Sequence, residues 1–428
     1  MKFSITTLGC KVNSCESAAI SATFLAAGYT QAADGESADV YVINSCAVTG
    51  MGVKKARQAV SHCKSQNPEA ITVLCGCYPQ AYPEEAERDC SAADIITGNA
   101  NKSEIPMMVS KFLAERRRFS CVDQLSREFD ESSAAPDLDR TRAFIKIEDG
   151  CDRFCTYCII PTARGRVRSL PPEEITAQAN QAAAAGNREI VLTGINIGCY
   201  GEDIGYTPAD AVMAAQAEGI ERVRLGSLEA DTLTDEEISR LKACEKLCPH
   251  FHLSLQSGSD AVLKRMKRRY TCGEYSALVE KLRAAFPGCS ITTDIMVGFP
   301  GETDEEFAES MAFVEKLGFA KIHVFPYSIR PGTVAGMRTN QVLPHVKSAR
   351  AREMNALAAR IEQEYLEKQA GSVQTVLIEK QTSPEFCHGF TESYMPVRIY
   401  GEDIPRHTLA QVKITGAGQG YCTGTTKF

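Results

Sequence analysis

No run of apolar residues in the 428-residue sequence is long enough to cross a bilayer, which excludes a helical membrane span. The first residues lack the basic stretch and long apolar run of a signal peptide. A soluble cytoplasmic chain is the expectation. Positive charge is in deficit: 47 Lys and Arg face 54 Asp and Glu, for a net charge of −7. That balance tells against a general affinity for phosphates. Two local clusters run the other way: Lys264, Arg265, Lys267, Arg268 and Arg269, and then Arg164, Arg166 and Arg168. By charge alone each reads as a solvated helix face or loop. Tryptophan is absent, and so are internal repeats and low-complexity tracts.

Cysteine, by contrast, is abundant, with 18 residues. In a reducing compartment, metal ligation or catalysis explains such usage better than disulfides do. The length suggests two or three domains, and 44% apolar residues suffice for sizeable cores.

The fold class expected is α/β with a small β module at the end. Residues 1–120 alternate strand patterns at 2–7, 39–44, 70–74 and 94–97 with helical ones at 14–27, 53–65 and 83–89. Such alternation implies a parallel sheet. Cys10, Cys46 and Cys77 each fall just past a strand, at the sheet edge where ligands bind. Residues 121–140 lose periodicity and read as a linker. A second alternation fills 141–370, with strand patterns at 143–147, 189–193, 222–225, 251–255, 290–297 and 321–326. Helical patterns separate these strands, and a long charged helix at 345–369 trails them. These units predict a partial (β/α)6 barrel with its chemistry at the strand carboxyl ends. Residues 371–428 carry short alternating segments broken by Gly and Pro, which read as a small antiparallel β-barrel.

The strongest motif is Cys151-Asp-Arg-Phe-Cys155-Thr-Tyr-Cys158, directly after the first barrel strand. Three thiolates so spaced can hold three irons of a cubane and leave the fourth open. Ferredoxin runs use two-residue gaps and add a fourth Cys. Structural zinc wants four closed ligands, and no fourth Cys or His is local.

This spacing, with Tyr157 before the last Cys, resembles the radical S-adenosylmethionine superfamily. The resemblance implies a 4Fe-4S cluster on Cys151, Cys155 and Cys158. It also implies S-adenosyl-L-methionine on the open iron, cleaved to a 5′-deoxyadenosyl radical. Later segments agree in order. "VLTGINIG" (191–198) carries Thr193 and Gly194, matching the segment that meets the cofactor's amino group. "LGSLEA" (225–230) carries Glu229, resembling the ribose-binding acid. "LSLQSGSD" (253–260), with Gln256, and "TTDIMVGFPGET" (292–303) match further signatures. The resemblance implies cofactor-binding roles for Tyr157, Thr193, Gly194, Glu229 and Gln256.

"TLGCKVNSCES" (7–17), "VINSCAVTG" (42–50) and "VLCGCYPQ" (73–80) resemble the amino-terminal domain of the methylthiotransferases. That family implies a second 4Fe-4S cluster on Cys10, Cys46 and a third Cys. Cys75 and Cys77 compete for the third place, and the family pattern Gly-Cys-x-x-Gln selects Cys77. One S-adenosylmethionine would methylate a sulfur at this cluster, and a second would make the radical. Gly9-Cys10-Lys11-Val12-Asn13 resembles the branch acting on N6-threonylcarbamoyladenosine beside the tRNA anticodon. Branches acting on isopentenyl-adenosine tRNA or on a ribosomal protein are the alternatives. A two-cluster electron carrier or a zinc-held RNA-binding module would be proteins of a different class. The resemblance also implies tRNA (its anticodon stem-loop) and an electron donor such as flavodoxin or ferredoxin as partners. The β module resembles the small RNA-binding barrel (TRAM) of these enzymes. There Lys380, Arg398, Arg406, Lys413 and Lys427 are expected phosphate contacts, and Phe390 and Tyr394 stacking groups.

Overall fold

Strand β1 (Lys2–Thr7), helix α1 (Lys11–Ala26) and strands β2 (Thr30–Gln31) and β3 (Val40–Ser45) open the chain. The computed structural model describes residues 1–33, 35–130, 140–379, 385–401 and 403–427. Helix α2 (Gly50–Gln66), β4 (Ile71–Gly76), α3 (Cys77–Ala81), α4 (Pro83–Asp89), β5 (Ile95–Thr97), α5 (Ile105–Glu115) and β6 (Phe119–Cys121) complete the first unit. Its strands pair in the order β2-β1-β3-β4-β5-β6, and every pair is parallel. The fully buried runs VYVINS and ITVLCG explain why β3 and β4 are central: both faces are covered by helices. Neighbouring strands β1, β3 and β4 end beside one another, just before Cys10, Cys46 and Cys77. The linker expected from residue 121 overlaps β6, and its residues 131–139 lie outside the described residues.

The second unit begins with β7 (Arg142–Lys146), β8 (Glu148–Asp149), α6 (Ile160–Arg164) and β9 (Arg168–Ser169). There follow α7 (Pro172–Ala184), β10 (Glu189–Thr193), α8 (Pro208–Ala214), β11 (Arg222–Leu225) and β12 (Ser227–Leu228). Helix α9 (Asp235–Lys242), β13 (His250–Leu253), α10 (Asp260–Met266), α11 (Cys272–Ala285), β14 (Ser290–Val297), α12 (Asp304–Leu317), β15 (Lys321–Pro326) and α13 (Pro344–Glu367) end it. Parallel strands form two sheets, β11-β10-β7 and β12-β13-β14-β15, which curve into a barrel left open between β7 and β15. The third strand pattern is therefore broken at Gly226 into two pieces.

The last strands, β16 (Val373–Ile378), β17 (Phe386–Thr391), β18 (Pro396–Tyr400), β19 (Leu409–Gly418) and β20 (Tyr421–Thr425), close a small barrel in the order β16-β17-β18-β20-β19. It departs from the antiparallel expectation in one pair, since β18 and β20 run parallel.

The three units are locked by buried charges. Glu16 of α1 meets Arg164 at 2.7 Å and Lys146 at 3.1 Å, and also pairs with Lys102. At the floor of the barrel, Arg222 donates to the Thr375 and Phe390 carbonyls and Arg224 to those of Thr391 and Glu392. Buried Glu189 holds Arg224 at 2.8 Å.

Several surface expectations are corrected. Arg164 and Arg168 are buried and the Arg268 side chain is turned inward, because each serves carboxylates or carbonyls inside the molecule. Phe390 and Tyr394 stack on each other at 4.9 Å beneath Arg142 and face the barrel floor, so they offer no open stacking platform. Arg406 donates to Thr141 at 2.9 Å, which spends it on docking. Lys380 lies outside the described residues.

Candidate active site

The loop carrying Cys151, Cys155 and Cys158 leaves β8 and returns at β9, and these two strands pair antiparallel at its base. Its first residue, Gly150, has φ +86°, and a Cβ there would lie 1.9 Å from the Arg166 carbonyl. Only glycine fits that crossing. Cys151 then donates its N–H to the Gly165 carbonyl at 3.0 Å, and Cys158 to that of Cys155 at 3.0 Å. Thr156 ties the loop to α10, donating from N to the Met266 carbonyl and from Oγ1 to the Arg265 carbonyl.

The three thiols share a cavity of about 140 Å³ with Tyr157, Glu229, Gln256 and Arg268. Burial pushes the Cys151 and Cys158 thiols up to about 12, and negative charge on a neighbouring acid or thiol would push the same way. A set of thiols that resist ionisation together is one that a cationic metal core stabilises. Thr193 and Gly194 are close by but do not line the cavity. Ile195 and Asn196 do, while a Cβ on Gly194 would lie 2.6 Å from the buried Glu148 carboxylate. Glu148 accepts from the Ile195 and Asn196 N–H groups at 2.7 Å, and burial pushes it up to about 8. Glu229 is gripped by Arg268 at 2.6 Å and Arg153 at 3.1 Å, and Arg268 also reaches the Cys155 sulfur at 3.4 Å. Neither arginine was singled out as a site residue. Arg153 inside the motif was the available signal.

Cys10, Cys46 and Cys77 converge on the sheet edge. A Cβ on Gly9, which has φ +112°, would lie 2.9 Å from the Cys46 Cβ. Burial raises the Cys10 thiol and lifts Cys46 to about 11, with Cys77 adding to both. Asn13 lies 3.7 Å from the Cys10 sulfur and Asn99 3.6 Å from that of Cys77. Arg164 bonds Asn13 at 2.7 Å and sits close enough to feel Cys77. Cys75 is buried on another side of the sheet, in an apolar cluster with Phe3, Ile20 and Val73. Cys77 instead packs with Ala47, Ile159 and Ala163. Among the described residues no three His, Cys, Asp or Glu side chains close tightly enough to hold a single metal ion.

Helix α6 follows Cys158 by one residue and packs on α3, which begins at Cys77. A second cavity, of about 280 Å³, lies where the first unit meets the barrel, walled by Val48 and Thr49 beyond Cys46 and by Tyr157, Cys158, Gln256 and Asp294 of the barrel.

A partial parallel barrel with a three-thiol loop on its first strand defines a radical S-adenosylmethionine fold. The family model described as "Radical SAM superfamily" matches residues 145–314, and "Uncharacterized protein family UPF0004" matches residues 2–98. Solved structures agree on the fold. The methyltransferase TsrM from Kitasatospora setae superposes with a TM-score of 0.56 at 12% identity, covering 78% of this chain and 74% of that one. Over nearly the full length, the chain is 40% identical to "Threonylcarbamoyladenosine tRNA methylthiotransferase MtaB" of Bacillus subtilis, covering 98% of this chain and 94% of the other. It is 37% identical to the protein of that name from Thermotoga maritima, covering 96% and 94%. It is 32% identical to "tRNA-2-methylthio-N(6)-dimethylallyladenosine synthase" of Pelotomaculum thermopropionicum, covering 100% and 98%. The chain belongs to the radical S-adenosylmethionine methylthiotransferase family.

Proposed function

We propose that this enzyme converts N6-threonylcarbamoyladenosine beside the tRNA anticodon to its 2-methylthio form. One observation carries the reading: Cys158 of one trio and Val48 and Thr49, which follow Cys46 of the other, wall the same cavity of about 280 Å³. Relatives named for this substrate stand at 36–40% identity over most of the chain. Cys151, Cys155 and Cys158 hold one 4Fe-4S cluster, and Cys10, Cys46 and Cys77 the second. When bound, these clusters and S-adenosyl-L-methionine supply a 5′-deoxyadenosyl radical and a methylated sulfur.

The chain's own residues do the rest. Tyr157, Glu229 and Gln256 wall the cofactor cavity, and Thr193 and Gly194 lead into Ile195 and Asn196, which wall it too. Arg268 and Arg153 release Glu229 to the cofactor's ribose hydroxyls. Arg164 and Asn13 position the Cys10 loop. Apolar Met296, Phe325 and Tyr327 keep water from the base. The carboxy-terminal barrel grips RNA outside, where Arg398 lies between Phe386 and Tyr421 at 4.7 and 3.7 Å. A flavodoxin or ferredoxin supplies the electron, and the enzyme works in the cytoplasm. No helix among the described residues is long and apolar enough to cross a membrane.

Two assays test this. Mass spectrometry of tRNA nucleosides from a strain lacking the gene should show loss of the 2-methylthio-threonylcarbamoyl nucleoside. Loss of the dimethylallyl counterpart instead would overturn the substrate. With the reduced enzyme, Ala at Cys151, Cys155 or Cys158 should abolish 5′-deoxyadenosine release. Ala at Cys10, Cys46 or Cys77 should spare that release and stop sulfur insertion. A Cys77→Ala enzyme that still methylthiolates, beside a dead Cys75→Ala enzyme, would move the third ligand. A wild-type chain that releases no 5′-deoxyadenosine would be an electron carrier.

A further inference from the structure

The barrel lumen holds a third cavity, of about 310 Å³, lined by Lys11, Ser227, His250, His252, His323 and Tyr394 among others. All three structural units contribute: Lys11 comes from α1, the histidines from β13 and β15, and Tyr394 from the turn between β17 and β18. The cavity adjoins the reaction site through a shared wall residue and through an ion pair. Ser227 lines both this cavity and the one that holds Cys151, Cys155 and Cys158. His252 pairs at 3.3 Å with Asp294, which lines the second cavity.

The charges in it do not balance internally. Lys321 is matched by Glu362 at 3.1 Å, and His252 by Asp294. His250 and His252 both meet the Thr292 hydroxyl, at 3.2 and 2.9 Å. Nearby Arg142 is matched by Glu379 at 2.8 Å and Arg224 by Glu189 at 2.8 Å. Lys11 alone of these cations has no carboxylate or hydrogen-bond acceptor among the described residues. Its ammonium lies 5.9 Å from the Phe144 ring, and at longer range Tyr394 and Glu189 favour its charge while Arg142 and Arg224 oppose it. Lys11 is an exposed residue that lines the cavity. An ammonium that lines a cavity and has no carboxylate bonded to it is a place where an anion gains by pairing.

Resting on the substrate reading above, we infer that this cavity receives the N6 substituent of the base, with Lys11 as the counter-ion of its carboxylate. A threonylcarbamoyl group carries one carboxylate, one hydroxyl and amide groups. The cavity offers one free ammonium with imidazole, hydroxyl and phenol partners around it. An apolar dimethylallyl group would leave those polar groups unsatisfied, which selects against it. Lys11 directly follows Cys10, so a substituent held there keeps its base beside the Cys10, Cys46 and Cys77 trio.

The test measures binding of two anticodon stem-loops, one carrying threonylcarbamoyladenosine and one unmodified adenosine, to the wild-type enzyme and to Lys11→Met and Lys11→Arg. Iron is counted in each protein. The Met variant should bind the modified loop about tenfold to a hundredfold more weakly. Its affinity for the unmodified loop and its iron content should not change, and Lys11→Arg should keep most of the preference. Equal weakening for both loops would make Lys11 a contact to an RNA phosphate and overturn the inference. Equal affinity of Met variant and wild type for the modified loop, or loss of iron in the Met variant, would overturn it too. A wild-type enzyme that fails to methylthiolate the modified loop would instead sink the substrate reading.

Discussion

Glu16 shows how much a single side chain carries here. It is buried with Lys102, Lys146 and Arg164 around it, and Asp149 is the other acid of the cluster. Burial raises both carboxyls, but Arg164 and the lysines overcome it and hold them well below the usual carboxylate range. A depressed carboxyl contributes stability that is present above its unfolded pKa and lost as the pH falls. Wild type should therefore weaken below about pH 4. Glu16→Gln leaves cations uncompensated and should cost about 3–5 kcal/mol at neutral pH. Thermal or urea denaturation should show a lower midpoint with a shallower acid dependence. This network was illegible in the sequence. Arg164 stands in a basic run, and nothing local says that a carboxylate it serves lies in α1, 148 residues earlier. The cysteine trios were legible, because each residue sits at a strand end or in a loop whose spacing is itself the signal.

Among the elements, β10, β14, β15 and α12 could be read residue for residue from their periodicity, because each is buried on a regular face. Helix α3 was missed, since its five residues contain a proline. So was the two-residue β8–β9 ladder, which is too short to carry a period. The parallel β18–β20 pair was missed because strand pairing depends on partners far apart in sequence. The short ladder matters for chemistry because it closes the base of the cysteine loop. Gly150→Ala places a methyl group against the Arg166 carbonyl and prevents that closure. Iron analysis of this variant should fall from about eight atoms per chain toward about four, the second cluster remaining. An unchanged iron content would mean that the loop closes by another route.

For the whole molecule, the question is whether the carboxy-terminal barrel is detachable. The geometry says that it is not. Arg222 and Arg224 seat four of its carbonyls, and Glu189 is fully buried beneath them. Removing residues 371–428 should lower the unfolding temperature of the rest and abolish 5′-deoxyadenosine release along with tRNA binding. A truncated protein that still cleaves S-adenosylmethionine at the full rate would show that the units are independent. Arg224→Ala, which strands Glu189 with Arg222 alone, should reproduce much of the loss of stability in the full-length chain, about 3–5 kcal/mol.

The turn at residues 391–395 gives this a longer reach. It belongs to one domain and floors the chamber of another, with Tyr394 lining the same space as Lys11. A handle borrowed from a cousin enzyme would arrive with a different floor, however well it held RNA. In this architecture the grip on the nucleic acid and the taste for a particular base are inherited together.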